Sequence, residues 1–166
     1  MSRYCNDGES DMPAVFWRID LQRALTSGRG QRILRDILDG LIAMPAWRLA
    51  YGEVIERAGW DDDEDEPIPG TACAVGAYAA WQMVKAGRTW EEAIRALAAD
   101  GWIGEHDEWD TEHLGRSAGL ARTVAWTLGW LNDEKFGDLT PEERWHAVFG
   151  WVWQQVRVAP MPVATA

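Results

Sequence analysis

The sequence predicts an all-α fold: a single compact domain of about five to six helices around a central helix at residues 111–131. Apolar residues recur at helical spacing through most of the chain, two segments begin with strong helix start signals, and no segment has a convincing strand pattern. A chain of 166 residues has the size of one domain. We therefore expect one helical domain over residues 14–157, with a flexible tail at 1–13 and a C-terminal tail at 158–166.

The predicted central helix runs from Asp110 to Asn132. At 100° per residue, several of its apolar and small side chains fall on one face: Leu114, Ser117, Ala121, Val124, Leu128 and Leu131. Trp126 and Trp130 fall nearly opposite. A helix that is apolar on two sides packs on both or displays one of them, so these indoles are candidates for burial or for self-association. The glycines and alanines of the segment would let neighbouring helices approach its backbone closely.

Two segments precede this helix, and the sequence predicts a definite secondary structure only for the second. Ala14–Leu25 fits a short helix and an extended segment equally well. Gln31–Ala43 has isoleucine and leucine on one stripe and predicts an amphipathic helix. Arg29, Arg32 and Arg35 lie in its first turns, where positive charge opposes the helix dipole. We therefore expect an acidic partner close to these arginines.

The middle of the chain alternates helical and charged patterns. Trp47–Ala58 carries apolar residues at helical spacing and predicts a short helix. Asp61–Glu66 is a run of six carboxylates followed by Pro67 and Pro69, which predicts a solvated loop. Thr71–Gly87 is rich in alanine and predicts a smooth helix packed tightly between others.

Capping signals mark two further helices. Thr89 with Glu92 forms a capping box that predicts a helix through residue 99. Thr140, Pro141 and Glu143 form the strongest start signal of the chain, because a cap precedes a proline in the first turn. In this last helix a core stripe is predicted at Trp145, Val148, Phe149, Val152 and Val156, with Trp151 pointing away from it.

The composition excludes some classes of function. The formal charge of −11, from 27 acidic and 16 basic residues, repels phosphate and argues against a general nucleic-acid binder. Two cysteines form no disulfide framework and favour a reducing compartment. No signal peptide or membrane-spanning run is visible. We expect a cytoplasmic protein of the host cell, with no membrane and no direct nucleic-acid partner.

Two patterns of acidic and histidine residues are candidate metal sites. Asp61, Asp63 and Asp65 have the spacing that begins a calcium-binding EF-hand loop, but the glycine and the terminal glutamate of that motif are missing. His106 and His113, with the acids around them, could ligate a metal, although their spacing matches no known metalloenzyme motif. We therefore predict no metal, no cofactor and no catalytic residue, with a small metal-dependent hydrolase at the histidines as an alternative.

Cys73 could be a nucleophile or an inert thiol. It lies in the first turn of a predicted helix, which can acidify a thiol. The residues around it are small and apolar, and no histidine partner is identifiable. We interpret it as a core thiol.

Two acidic loops, at Asp61–Glu66 and Asp100–Asp110, concentrate negative charge beside tryptophans. Such an arrangement combines long-range attraction for a basic surface with aromatic anchors. The predicted partner-binding residues are Asp61, Asp62, Asp63, Glu64, Asp65, Glu66, Trp102, Asp107, Glu108, Trp109, Asp110 and Trp151. A homodimer through Trp151, or through Trp126 and Trp130, is a further expectation, and the acids could instead neutralise the arginines of the chain.

Two stretches resemble small uncharacterised helical proteins of bacteriophages and mobile elements. They are GTACAVGAYAA at residues 70–80 and WLNDEKFGDLTPEERWHAVFGWV at residues 130–152, and they match a C-x-x-G-A helix and a T-P-E-E-R-W helix. The resemblance implies a phage accessory context, in which acidic proteins of this size often inhibit host machinery, as anti-CRISPR proteins do.

The functional hypothesis from the sequence is therefore a non-catalytic, acidic helical protein. It would act as a phage or prophage inhibitor that docks on the basic, nucleic-acid-binding surface of a host protein complex. A multimerising phage structural or assembly protein is the other alternative beside the hydrolase.

Overall fold

The computed structural model describes residues 14–61, 66–103 and 108–157, and helices account for most of them. The helices are α1 (Ala14–Thr26), α2 (Gly28–Ala43), α3 (Ala74–Lys85), α4 (Trp90–Leu97), α5 (Glu108–Ser117), α6 (Arg122–Trp130) and α7 (Pro141–Gln155). Two strands, β1 (Ile55–Asp61) and β2 (Glu66–Ala72), form a small antiparallel sheet. Short π-helical segments at Ala98–Trp102 and Leu131–Lys135 extend α4 and α6. The predicted helical class of the fold is confirmed.

The helix at the centre of the domain is α3. Every residue from Ala74 to Ala80 is buried. The small side chains of this segment let four helices, α2, α4, α5 and α6, contact α3. The tight packing predicted for the alanine-rich segment is thus what the structure has, and this helix takes the place that the sequence prediction gave to residues 111–131.

The predicted central helix is two helices, α5 and α6, so the single-helix prediction is wrong. The chain turns at Gly119, whose φ of +96° is a left-handed conformation that glycine adopts without steric cost. The N–H of Leu120 bonds back to the carbonyl of Gly115 at 2.9 Å and closes the end of α5. A Cβ on Gly115 would lie 2.6 Å from the Cβ of Ala125, so the small residues serve the crossing of α5 over α6.

The predictions of a helix at Trp47–Ala58 and of no strand are also wrong. The N–H of Ala50 bonds to the carbonyl of Ala72 at 3.1 Å, and the N–H of Cys73 bonds to that of Val54 at 2.9 Å. These long-range backbone bonds hold the segment extended, and β1 then continues it against β2. Prolines are tolerated in β2 because both strands of a two-stranded sheet are edges. The solvated-loop prediction is wrong for Asp61 and Glu66, which belong to β1 and β2, and residues 62–65 lie outside the described residues.

The N-terminal segment that fitted two conformations is a helix, α1. Its Trp17 ring packs edge-on against the Trp126 ring, with 4.5 Å between the ring centroids. One of the two indoles expected on a second apolar face is therefore covered by the chain itself. None of the described helices has the length and apolar composition needed to span a bilayer.

Both predicted capping boxes are present, and α7 is fixed by two further side chains. Arg144 is buried and donates hydrogen bonds to four carbonyl oxygens, those of Leu49, Phe136, Gly137 and Leu139, at 2.8–3.3 Å. We call Arg144 and these carbonyls the arginine hub. The indole N–H of Trp145 donates to the carbonyl of Leu41 at 3.0 Å. These bonds join α7 to α2 and to the loops on either side.

Candidate functional site

Four of the nine predicted acidic residues lie in the described part of the backbone. Asp61 ends β1 and Glu66 begins β2, and the two are paired across the sheet. Glu108, Trp109 and Asp110 form the first turn of α5. The remaining acids of the prediction, Asp62, Asp63, Glu64, Asp65 and Asp107, lie outside the described residues.

Of the predicted tryptophan anchors, Trp102 is corrected by the structure. Its side chain is buried, with 6% exposed, because the π-helical segment turns it into the core beside α4. Trp151 is half-buried and packs against the core, so it does not point fully away from it. Trp130 is also half-buried and stacks on Trp126 with 6.4 Å between centroids.

Among the described residues, the arginines at the start of α2 lack the acidic partner that we expected. Arg29 Nη2 donates to the carbonyl of Gly119 at 3.2 Å, and Arg35 Nη2 donates to the carbonyl of Arg157 at 3.4 Å. Among the described residues, no carboxylate pairs with these two or with Arg32. The helix dipole and these charges therefore remain uncompensated by the described part of the chain.

A row of stacked rings crosses the surface of α7, and it is the clearest candidate site. We call Trp47, Trp145, Phe149 and Trp153 the aromatic ladder. Trp47 stacks on Trp145 with 5.7 Å between centroids, Trp145 on Phe149 with 4.9 Å, and Phe149 on Trp153 with 6.3 Å. All three interplanar angles are 21° or less, so the rings are nearly parallel. Parallel, offset rings at these distances attract one another.

The two ends of the aromatic ladder are exposed although its middle is buried. Trp145 is part of the core, whereas 55% of Trp47 and 62% of Trp153 is exposed. Ile42, whose carbonyl accepts a hydrogen bond from the Trp47 indole at 3.4 Å, is 55% exposed as well. The ladder is therefore a continuous row of apolar rings in which Trp145 is buried and the two end residues are exposed to solvent.

The backbone at Trp47 is unusual. Its φ of 48° lies in the left-handed region, and among the described residues it is the only one other than glycine with such an angle. That conformation costs a residue with a side chain about 1–2 kcal/mol. This backbone angle occurs four residues after the end of α2, at the residue whose indole stacks on the Trp145 ring. Strain that holds an exposed ring in place is typical of functional surfaces.

Charged side chains of both signs lie close to the aromatic ladder along the chain. Asp39 lies one turn before Ile42 on α2 and is exposed, and no described cation pairs with it. Glu142 lies one turn before Trp145 on α7 and pairs with Arg48 at 3.0 Å on the surface. An exposed ion pair of this kind is weak and exchanges readily with other partners.

The groups considered for catalysis have ordinary structural surroundings where they are described. Burial, followed by the charge of Asp133, raises the pKa of the Cys73 thiol to about 12. A thiol with that pKa is protonated at neutral pH, which agrees with the interpretation as a core thiol. His113 is exposed, and His106 lies outside the described residues. In the described ranges, no three His, Cys, Asp or Glu side chains are grouped closely enough to hold a metal ion.

Searches with protein-family models, against curated proteins and against solved structures each find no match for this chain.

The sequence analysis missed both exposed ends of the aromatic ladder. The i, i+4 spacing of Trp145, Phe149 and Trp153 was a visible signal, since such residues are neighbours on a helix. Only the first two were assigned to the core stripe. Trp47 offered no comparable signal, because its place depends on a left-handed backbone angle and on contact with a residue 98 positions later.

Proposed function

We propose that this chain is a non-catalytic binding protein that docks on a basic surface of a protein partner. The observation that carries the proposal is the aromatic ladder, whose end residues Trp47 and Trp153 are more than half exposed in a domain that buries a large core. Covering one large apolar side chain stabilises a complex by roughly 1.5–3 kcal/mol. Two indoles and an isoleucine in one strip form an energetic centre of the size that binding hot spots have.

The negative charge of the chain supports a cationic partner. A net charge of −11 attracts basic surfaces over long distances and accelerates association. The faces of tryptophan rings also attract guanidinium and ammonium groups, by about 0.5–2 kcal/mol each. Asp39 beside the strip, with the acids at Asp61–Glu66 and Asp107–Asp110, would steer the partner, and the ladder would anchor it. The ladder takes the role that the sequence analysis gave to Trp102.

A finer version of the proposal concerns the kind of partner. The resemblance to phage proteins supports an inhibitor, in the manner of an anti-CRISPR protein, that occupies the nucleic-acid-binding surface of a host complex. An acidic chain with aromatic anchors suits such a surface, because the basic residues that bind phosphate also bind carboxylates. A second copy of this chain is a less suitable occupant, since two copies with eleven negative charges each repel.

The test is affinity capture from a host lysate with three forms of the chain. They are the wild type, Trp153→Gln, and the control Ile19→Gln, which changes an apolar residue of α1 that is 41% exposed. We expect one protein to be captured by the wild type and the control, to be lost with Trp153→Gln, and to be released as salt rises from 50 to 300 mM. Nucleic acid added to the purified complex should compete with the chain for that protein.

Two results would contradict the proposal. The first is equal capture by Trp153→Gln and the control. The second is a captured protein whose affinity does not change with salt. A concentration-dependent dimer in light scattering that disappears in Trp153→Gln would show that a second copy occupies the ladder.

A further inference from the structure

A cleft lined by three arginines lies where α2, α5 and α6 meet. Its volume is about 550 Å³, which is large enough for a small organic anion. Arg29 comes from the first turn of α2, Arg116 from the last turn of α5, and Arg122 from the start of α6. Ala24, Ile33 and Leu120 give the cleft apolar walls. Two parts of the chain that are far apart in sequence, the start of α2 and the turn between α5 and α6, thus bring cations to one concavity of an acidic protein.

The arginines of the cleft are held in place by the protein. Arg29 is attached to the turn between α5 and α6 by its hydrogen bond to the carbonyl of Gly119. The carboxylate of Glu112, whose side chain is 9% exposed, accepts a bond from Arg122 Nε at 3.0 Å and lies 3.8 Å from Arg116 Nη1. One carboxylate thus orients two guanidinium groups. Glu112 thus offsets part of the positive charge of the cleft.

The helix dipoles add to this positive field. Both α2 and α6 begin at the cleft, neither has an acidic residue in its first turn, and Ala121 gives α6 no side-chain cap. Positive side chains at a helix N-terminus destabilise it by about 0.3–1 kcal/mol each, and a bound anion would reverse that effect. Among the described residues, no carboxylate pairs with Arg29 to do so.

We propose that this cleft binds a phosphate monoester. The phosphate lies among Arg29, Arg116 and Arg122, because guanidinium groups form paired, charge-assisted hydrogen bonds with phosphate oxygens. The organic group of the ester lies against Ile33 and Leu120. This site is independent of the aromatic ladder, so either proposal can fail without the other.

The experiment is a titration followed by amide chemical shifts in ¹H–¹⁵N NMR spectra, at constant ionic strength in potassium chloride. The probes are inorganic phosphate and phenyl phosphate, which differ by one apolar ring. We expect saturable shifts at Gly28, Gly30, Gly119 and Leu120, and a several-fold lower Kd for phenyl phosphate because of the apolar walls.

Three variants give the test its specificity. Arg29→Gln and Arg116→Gln should each raise the Kd about tenfold or more, since each removes charge-assisted bonds. Arg88→Gln is the matched control, because Arg88 is exposed and, among the described residues, its side chain donates a hydrogen bond only to the sulfur of Met83. It should bind like the wild type. The dispersion of each spectrum reports whether a variant is folded, and two cleft variants guard against the failure of one.

Shifts that grow linearly with concentration, or that are unchanged in both cleft variants, would overturn the proposal and indicate general salt effects only. Saturable binding of phosphate with no gain for phenyl phosphate would overturn the assignment of Ile33 and Leu120 as the wall for the organic group.

Discussion

α7 contributes to two regions, the arginine hub and the aromatic ladder, and each contains side chains that are unusual for their surroundings. In the hub a charged side chain is buried, and four carbonyl oxygens accept its hydrogen bonds. In the ladder apolar rings are exposed, and nothing in the described chain covers Trp47 or Trp153 fully. The two regions start from adjacent residues, Arg144 and Trp145.

This comparison distinguishes contacts that stabilise the fold from a surface that remains available for binding a partner. Burial lowers the pKa of Arg144, the charge of Asp133 opposes that effect, and the hydrogen bonds offset the loss of water. The guanidinium group of the hub therefore has its hydrogen-bond acceptors within the fold. The ladder gains only part of the free energy that burial of its rings would give, and a partner would supply the rest.

The largest expected effect comes from breaking the hub. Arg144→Met fills a similar volume but removes the guanidinium donor of four carbonyls, of which that of Phe136 keeps the N–H of Leu139, so the free energy of unfolding should fall by about 3 kcal/mol or more. Urea denaturation measures it. Arg95→Met is the control, because Arg95 forms an exposed pair with Glu91 on α4 that contributes at most about 1 kcal/mol. Equal losses in the two variants would mean that the hub does not hold α7.

A smaller effect should follow from neutralising the acidic run at residues 61–65. Changing Asp61, Asp62, Asp63 and Asp65 to asparagine should lower the association rate with the partner about tenfold at low salt, since steering depends on local charge. The melting temperature should change little. Stopped-flow mixing with the purified partner measures the rate.

The control for that prediction removes the same charge elsewhere. It neutralises four solvent-accessible acids that lie outside the two acidic loops, Asp20, Glu56, Glu91 and Asp138. Its association rate should remain closer to that of the wild type. If both variants slow equally, net charge and not its concentration in one loop directs association.

The smallest effect concerns the cap at the start of α7. Hydrogen bonds from the side chain and the backbone N–H of Thr140 lower the pKa of Glu143 below its ordinary value of 4.5. A carboxylate with a lowered folded-state pKa adds stability above the unfolded-state pKa, and that stability is lost as pH falls through the folded-state pKa. The melting temperature of the wild type should therefore fall more between pH 6 and pH 3 than that of Glu143→Ala.

Glu142→Ala is the matched control for the cap, because Glu142 lies next to Glu143 and pairs only with Arg48 on the surface. Its melting temperature should follow that of the wild type across the same pH range. A parallel decline in Glu143→Ala and the wild type would show that the capping box adds no pH-dependent stability.

Local signals predicted the parts of the fold that depend on local interactions. The stripe of α2 and the two capping boxes could be identified from residues within four positions of each other. The extended segment before β1 could not, because Ala50 and Val54 bond to backbone groups about twenty residues later. The β1–β2 hairpin is local, since Asp61 pairs with Glu66, but its prolines and its run of acids carry no alternating strand pattern. The break at Gly119 was hidden by the continuing apolar pattern on both sides of it.

The candidate site was predictable in kind but not in position. Negative charge and exposed indoles were expected together, and the structure has exposed indoles at Trp47 and Trp153 instead of Trp102. Trp102 is buried directly after Gly101, whose φ of +87° turns the chain, and a single glycine does not indicate that the next side chain enters the core. The cleft at Arg29 was visible only as charges that oppose a helix dipole.

The most direct test of the account places a photo-crosslinking phenylalanine analogue at position 153, and in a second protein at position 19. If the aromatic ladder is the docking surface, irradiation of the complex should join the partner to position 153 and not to position 19, and the joined peptide of the partner should be rich in lysine or arginine. Crosslinks from position 19 alone, or to an acidic peptide, would contradict the account.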